Sequence, residues 1–366
     1  MPKETMSARG VSGLIILLVL CGTVLSGANT VEQDFWLSIG LAGVLFLPVI
    51  LLYGRLGTLF PGRGLFEIIE TLFGRTAGMG LILWVSGYAL VVTSLLLRNF
   101  VEFTVVIALQ DTPRIPLMIA ILAVAVYLAD KGLVVFGRWS VIICAMILVN
   151  VLFTILLSLD VIDLSHIQPV LDHRFSELAA NALIMGFIAI GESMLILTLL
   201  GHVPAGASVY RIYSWGIFLG IGFFILMVLR NLAILGPEMV KAAKFSAYMA
   251  VRIVHFGNFF ERVESLISFN LILMGITKIT LCLTAAAMGT ARLLQTDDYR
   301  RLLLPVSLLA LALCAIIFKN AYEIFEFVWA YWLLALPVQV VLPLLLWVVA
   351  ERRAKGGRLY RGGRRY

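Results

Sequence analysis

Apolar runs long enough to cross a bilayer recur along almost the whole chain, near 11–28, 35–58, 79–108, 115–133, 139–160, 178–200, 209–235, 262–291, 301–318 and 322–350. About 20 residues of helix are needed to span the hydrocarbon core. The runs therefore predict an all-α membrane protein with ten transmembrane helices. Charge agrees: 13% of the residues are Asp, Glu, Lys or Arg, about half the roughly one quarter found in soluble globules. Mean hydropathy is +1.03. The first run begins at Val11, lacks a cleavage-site pattern and is followed by nine more, so it reads as a retained helix and not a signal peptide. Segment 61–77 (PGRGLFEIIETLFGRTA) is too short and too charged to span, and its apolar residues fall at helical spacing. It is expected to form an interfacial helix.

Lys and Arg set the expected orientation. With the N-terminus cytoplasmic, 18 of the 28 basic residues fall in inner segments or the tail, while Arg114, Arg174, Arg230, Lys241, Lys244, Arg252, Arg262 and Lys319 fall outside. Both termini are then cytoplasmic, as an even number of spans requires. The expected organisation is an N-terminal tail (1–10), a first five-helix repeat (11–160), an outer loop (161–177), a second repeat (178–350) and a basic tail (351–366). The second repeat carries a further outer loop at 236–261. Both outer loops are amphipathic and suit lids or docking surfaces. Beside a last helix, the basic tail is expected to meet anionic lipid headgroups, with no nucleic acid as partner.

Five spans per half place the halves in opposite orientation, the pattern of transporters with inverted repeats and interrupted helices. Span 1 contains CGTVLSGAN, with Gly22 and Gly27 bracketing Thr23 and Ser26. Span 6 contains MGFIAIGES, with Gly186, Ala189 and Gly191 ahead of Glu192 and Ser193. Glycine weakens a helix, and hydroxyls can satisfy the backbone groups that a break releases. Close helix packing explains the same glycines equally well. Four charges are stranded inside apolar helices: Glu192, Lys278, Arg98 and Glu102. A charge at mid-bilayer costs about 2.5–3.5 kcal/mol or more, so such residues mark sites or pathways. Glu192 is expected either to line a substrate pocket or to form a structural ion pair with Lys278. Arg98 and Glu102, at i and i+4, can pair and gate a vestibule; alternatively Arg98 snorkels to the headgroups. Trp329, Tyr331 and Trp332 suit an interfacial belt or a packing surface.

Cys21, Cys144, Cys282 and Cys314 all lie in apolar segments without metal-ligand spacing, and the four histidines are scattered. Phosphate-loop, dinucleotide and nucleophile-elbow motifs are absent. No cofactor, metal or enzymatic activity is expected.

The order of motifs resembles the spore germination permeases, the B-type membrane subunit of nutrient germinant receptors in the amino acid/polyamine/organocation superfamily. The most specific stretch is GPEMVKAAKFSAYMAVRIVHFGNFFERVESL at 236–266, with Gly236, Pro237, Glu238, Arg252, Ile253, Gly257, Phe259, Arg262 and Glu264 in matching places. LYGRLGTLFPG (52–62), LRNFVEF (97–103), IGES (190–193) and DDYRRLLLP (297–305) support it. The resemblance implies an amino acid transporter-like 5+5 fold, broken helices 1 and 6, and a pocket at the breaks. It further implies a small nutrient as ligand, with an A-type membrane subunit and a C-type lipoprotein as partners in the spore inner membrane. In related transporters a side-chain cation near helix 8 replaces a sodium ion, so Lys278 argues against sodium coupling. A proton-coupled amino acid or amine transporter is the alternative function, and a gated conduit a third. Glu261, Arg262 and Glu264 are expected to form an outer charge cluster.

Overall fold

A computed structural model describes residues 5–107, 111–204, 206–253, 264–318 and 321–355, and the structured part of these is helical. The spans are α1 (Ala8–Cys21), α2 (Phe35–Leu59), α3 (Leu65–Ile107), α4 (Arg114–Asp130), α5 (Leu133–Leu157), α6 (Phe175–Met185) and α7 (Val209–Ala242). After the short α8 (Ser246–Ile253) come α9 (Glu264–Leu294), α10 (Arg300–Ile317), α11 (Ala321–Val328), α12 (Tyr331–Leu336) and α13 (Leu342–Lys355). Among the described residues nine helical segments are at least 18 residues long and apolar enough to cross a membrane. The tenth expected span is α4, whose 17 residues fall at the lower limit of membrane-spanning length.

Two glycines set boundaries that apolar periodicity alone does not. Gly74 (φ 73°) turns α3, separating its first nine residues from the long span that follows. This isolates the expected short helix within 61–77, which buries Phe66, Ile69 and Leu72 and carries Glu67 to an ion pair with Arg292 at 2.7 Å. Gly236 (φ 74°), followed by Pro237, turns the end of α7 in the same way. Positive φ is accessible to glycine without the steric cost of a Cβ.

The packing carries the two-fold relation expected of two five-helix halves. Mapping span n onto span n+5 exchanges α1 with α6, α2 with α7, α3 with α9 and α4 with α10. Accordingly α1 packs on α7 as α2 packs on α6, and α3 packs on α10 as α4 packs on α9. The pairs α2–α7 and α3–α9 each map onto themselves and are in contact. Span 6 is enclosed by α1, α2, α3 and α9, and its residues from Gly186 to Gly201 are buried throughout.

The first and last described segments lie on one face: Met6 N donates to His202 O at 2.7 Å, and Arg353 donates to Thr71 O at 3.0 Å. On the opposite face the loop at 161–177 is tied to the start of α2. Asp34 accepts from Leu171 N at 2.7 Å and His173 N at 3.1 Å.

The run expected as one helix over 322–350 is divided. α11 ends at Val328 and the span itself begins at Tyr331. Ile324 and Val328 of α11 turn inward, while Phe325 stacks edge-on against Phe245 at 6.0 Å. An eight-residue amphipathic helix carrying Glu323 and Glu326 covers the bundle more readily than it extends a span.

Candidate functional site

Spans 1 and 6 change helix type where the glycine-rich motifs predicted interruptions. The first span tightens from α1 into a 3₁₀ helix over Gly22–Ala28. The sixth loosens into a π turn over Gly186–Ile190, then tightens into a 3₁₀ helix over Gly191–His202. Such transitions disturb the regular i→i+4 ladder, and a buried carbonyl must find another donor. Side chains from three other spans supply them. Gln339 Nε2 donates to Phe187 O at 3.1 Å, Lys278 Nζ to Ile188 O at 3.0 Å and Tyr213 OH to Ser193 O at 3.0 Å, while Tyr53 OH lies 3.3 Å from Gly191 O.

Glu192 lies in the middle of this stretch and pairs with Lys278, Oε2 to Nζ at 2.9 Å, with both side chains buried. The pair is ionic, and Oε2 is left without a well-aligned hydrogen bond. Its other oxygen accepts from Tyr331 OH at 2.6 Å. Tyr331 OH also lies 2.9 Å from Tyr88 OH, which accepts from Gln339 Nε2 at 2.7 Å. A phenol has one proton. Tyr331 commits its proton to Glu192, so Tyr88 donates to Tyr331, and the chain Gln339–Tyr88–Tyr331 runs in one direction. It ends on the Glu192 carboxylate.

A cavity of about 50 Å³ adjoins the pair. Glu192 and Ile188 of span 6, Lys278 of α9, Cys21 and Leu25 of span 1, and Val92, Leu95, Leu96 and Asn99 of α3 line it, and Tyr331 closes one side. Phe318 and the α11 residues Ile324, Phe327 and Val328 form its roof. The space suits a few water molecules and is well below the ~300 Å³ of an ordinary ligand pocket. A larger occupant requires the roof or α3 to yield.

Of the residues expected to bind substrate (Gly22, Thr23, Ser26, Gly27, Ala189, Gly191, Glu192 and Ser193), Glu192 lines this cavity, beside Lys278, its expected ion-pair partner. Gly22 instead packs on Ala189, where an added Cβ would come within 2.9 Å of the alanine methyl. Thr23 bonds Leu20 O at 2.7 Å within its own helix. Ser26 pairs with Ser246 at 3.0 Å, and Gly27 packs directly on the backbone of Ala243 and Lys244. Gly191 faces Gln339 and Phe46, and the Ser193 hydroxyl is buried without a partner. Gly22, Thr23, Ser26 and Gly27 thus make packing contacts and hydrogen bonds within the bundle, while span 6 carries the charge.

Arg98 and Glu102 form the expected i,i+4 pair at 3.0 Å. Both are buried, which excludes snorkelling to headgroups, and Arg114 at the start of α4 adds a second contact to Glu102 at 2.6 Å. Arg230, assigned to the outer segments by its place in the sequence, is also buried. It donates to Thr154 Oγ1 at 2.7 Å and Asn231 Oδ1 at 2.6 Å. Glu261 and Arg262 lie outside the described residues, as does the side chain of Glu264. Tyr331 is buried, which excludes the interfacial belt and leaves the packing surface, and its bond to Glu192 adds a polar role there. Tyr53, Tyr88, Asn99 and Gln339 carry no charge and had no signal beyond their polarity within apolar runs. Among the described residues no cluster of His, Cys, Asp and Glu could hold a metal.

An all-helical core of paired spans around a distorted helix and a buried ion pair is that of a transporter-like membrane protein. In solved structures the fold is similar to Mhp1, a nucleobase-cation-symport-1 family transporter, in a closed conformation with bromovinylhydantoin bound. The TM-score is 0.66 at 12% identity, covering 97% of this chain and 80% of that one. A family model described as spore germination protein matches residues 5–324, and the chain belongs to that family of permeases. It is 23% identical to spore germination protein KB of Bacillus subtilis (strain 168) over 364 residues, 97% of each chain. It is 24% identical to putative spore germination protein YfkT of the same organism over 329 residues, 90% of each.

Proposed function

We propose that this permease is the B-type sensing subunit of a nutrient germinant receptor and that a small amino acid is its ligand, bound beside Glu192 and Lys278. The carrying observation is the ion pair on the wall of the cavity, whose Glu192 Oε2 has no aligned hydrogen bond. Lys278 also has hydrogen-bonding capacity beyond its bond to Ile188 O. A zwitterion matches this pair by exchange of partners, its ammonium to Glu192 and its carboxylate to Lys278. The buried charge then stays at zero, whereas a net cation or anion would add an uncompensated charge at a cost of several kcal/mol. Apolar walls from Leu25, Val92 and Leu96 suit a small remainder.

Membership of the spore germination family fits a place in the spore inner membrane, the Lys and Arg distribution favours cytoplasmic termini, and the B-type reading carries with it an A-type membrane subunit and a C-type lipoprotein as partners. Signalling begins when the ligand rearranges the bonds of Glu192, because Tyr331 joins that residue to the roof.

The alternative, a proton-coupled amino acid or amine transporter, is favoured by one feature. A second cavity of about 740 Å³ opens at the far ends of spans 6 and 8, lined by Thr198, His202, Arg292 and Tyr299. It lies on the face that carries Met6 and Arg353, opposite the α11 roof, as an exit vestibule would.

The deciding experiment is ligand binding by the purified full-length chain across amino acids, sugars and purines, with uptake into liposomes measured alongside. An amino acid that stabilises the wild type but not folded Glu192→Gln, without uptake, supports the sensor. Saturable uptake moves the assignment to the transporter. Stabilisation by a sugar or purine alone overturns the amino acid reading.

A further inference from the structure

The cavity has a polar residue for which the ion pair gives no reason. Asn99 is 4% exposed and lines the wall contributed by α3. Its Oδ1 is buried without a donor, and among the described residues its carboxamide makes no hydrogen bond. Burying such a group unpaired is unfavourable, and an apolar side chain of the same size would fit a wall otherwise made of Val92, Leu95 and Leu96.

Those residues recur at i, i+3, i+4 and i+7, so Asn99 ends one continuous stripe of α3. Tyr88, one turn before Val92, meets Tyr331 and through it Glu192. The charged end of the cavity is therefore near the start of the stripe. Asn99 lies about 10 Å of helix rise beyond Val92, so its carboxamide is placed to meet a part of a bound ligand other than the groups held by Glu192 and Lys278. A carboxamide offers both an acceptor and donors, and the two ends exchange by rotation. Its natural partners are uncharged groups with the same duality.

We propose that Asn99 is the specificity-determining residue of this cavity, pairing with a hydroxyl or carboxamide on the side chain of a small neutral amino acid. The inference rests on the reading of the cavity as an amino acid site. A site built to bond a polar group discriminates strongly against an isostere that lacks it, because its own buried group is then left unpaired.

The test uses isosteric pairs on the purified full-length protein: threonine against valine, and asparagine against leucine. Binding is read by ligand-induced thermal stabilisation and by competition with a radiolabelled amino acid. The wild type is expected to prefer the polar member of at least one pair by about tenfold or more. Asn99→Leu is expected to lose or reverse that preference while melting no lower than the wild type, since it removes an unpaired buried amide. Equal binding of both members by the wild type overturns the proposal, as does an unchanged preference in folded Asn99→Leu. If no amino acid binds the wild type, the amino acid reading itself fails, and the role of Asn99 fails with it.

Discussion

Gln339 donates its side-chain amide to the carbonyl of Phe187 at 3.1 Å, joining a π turn of the tenth span (Pro337–Val341) to the π turn of the sixth (Gly186–Ile190). Tyr53 closes the same joint from α2, donating to Gln339 O at 2.6 Å and lying 3.3 Å from Gly191 O. Two irregular turns that would each leave buried carbonyls wanting thus satisfy one another. The joint also holds Tyr88 in place to donate towards Glu192.

Gly191 is the tightest point of that joint. A Cβ there would overlap Gln339 Oε1 and come within 3.2 Å of Phe46. Gly191→Ala is therefore expected to destabilise the protein by about 1–3 kcal/mol, the usual cost of overpacking. Thermal unfolding in detergent measures it. Gln339→Ala removes the obstructing carboxamide but also its bonds to Phe187 O and Tyr88 OH, so the double variant should lose less stability than the sum of the two single losses, and strictly additive losses would show that the clash lies elsewhere.

Tyr331→Phe removes one oxygen and leaves both Glu192 Oε1 and Tyr88 OH without their partner. A buried group left unpaired costs about 1–3 kcal/mol. Ligand affinity should fall as well, because Glu192 loses the donor that orients it. Tyr88→Phe is expected to cost less, since Tyr331 would still donate to the carboxylate. Equal losses of affinity in both variants would contradict the one-way order of the chain.

Most of the fold was readable because membrane spans are written in length and hydropathy. The departures have local causes. The break between α11 and α12 falls at Trp329–Ala330, where no glycine or proline marks it and the apolar run continues unbroken. At the site, Glu192 and Lys278 stood out because charge within an apolar run is costly. Tyr53, Tyr88, Tyr331 and Gln339 did not, since their roles depend on which helices meet. A tyrosine near a span end reads as a belt residue until a carboxylate is found opposite it. The burial of Arg230 was hidden for a related reason: the bonds to Thr154 and Asn231 that allow it are invisible to a count of charges.

Glu102 contacts two arginines, Arg98 within its own helix and Arg114 on α4. Glu102→Gln leaves buried Arg98 facing a neutral partner and should cost about 3–5 kcal/mol, the penalty of breaking a buried pair. Arg114→Gln should cost no more than about 1 kcal/mol, because the Arg114 side chain is 44% exposed. The melting temperatures of the two variants give the order directly, and a reversed order would remove Glu102 as the centre of the cluster.

With its ammonium bonded to Ile188 O and paired with Glu192, Lys278 supplies the positive charge that the core of the site needs. A bound sodium ion would add a second cation to a buried region already neutral. Ligand affinity is therefore expected to be the same in sodium chloride and in choline chloride at equal ionic strength. Isothermal titration in the two salts checks this, and tightening by sodium of more than a few fold would require a cation site apart from Lys278.

The Glu192–Lys278 pair itself can be tested as a unit. Glu192→Gln leaves an ammonium buried opposite a neutral amide, and Lys278→Met leaves a carboxylate with Tyr331 as its remaining hydrogen-bond donor. Each single variant is expected to lose about 3–5 kcal/mol of stability. The double variant carries no buried charge here and should be more stable than either single one, since apolar or neutral replacement of a whole buried pair is often close to neutral. Ligand binding should follow a different rule, absent from both singles and still absent from the double, because a zwitterion needs both charges. A double variant that regains its melting temperature without regaining affinity would separate the structural role of the pair from its part in recognition. Restored binding in the same protein would assign the pair to the fold alone.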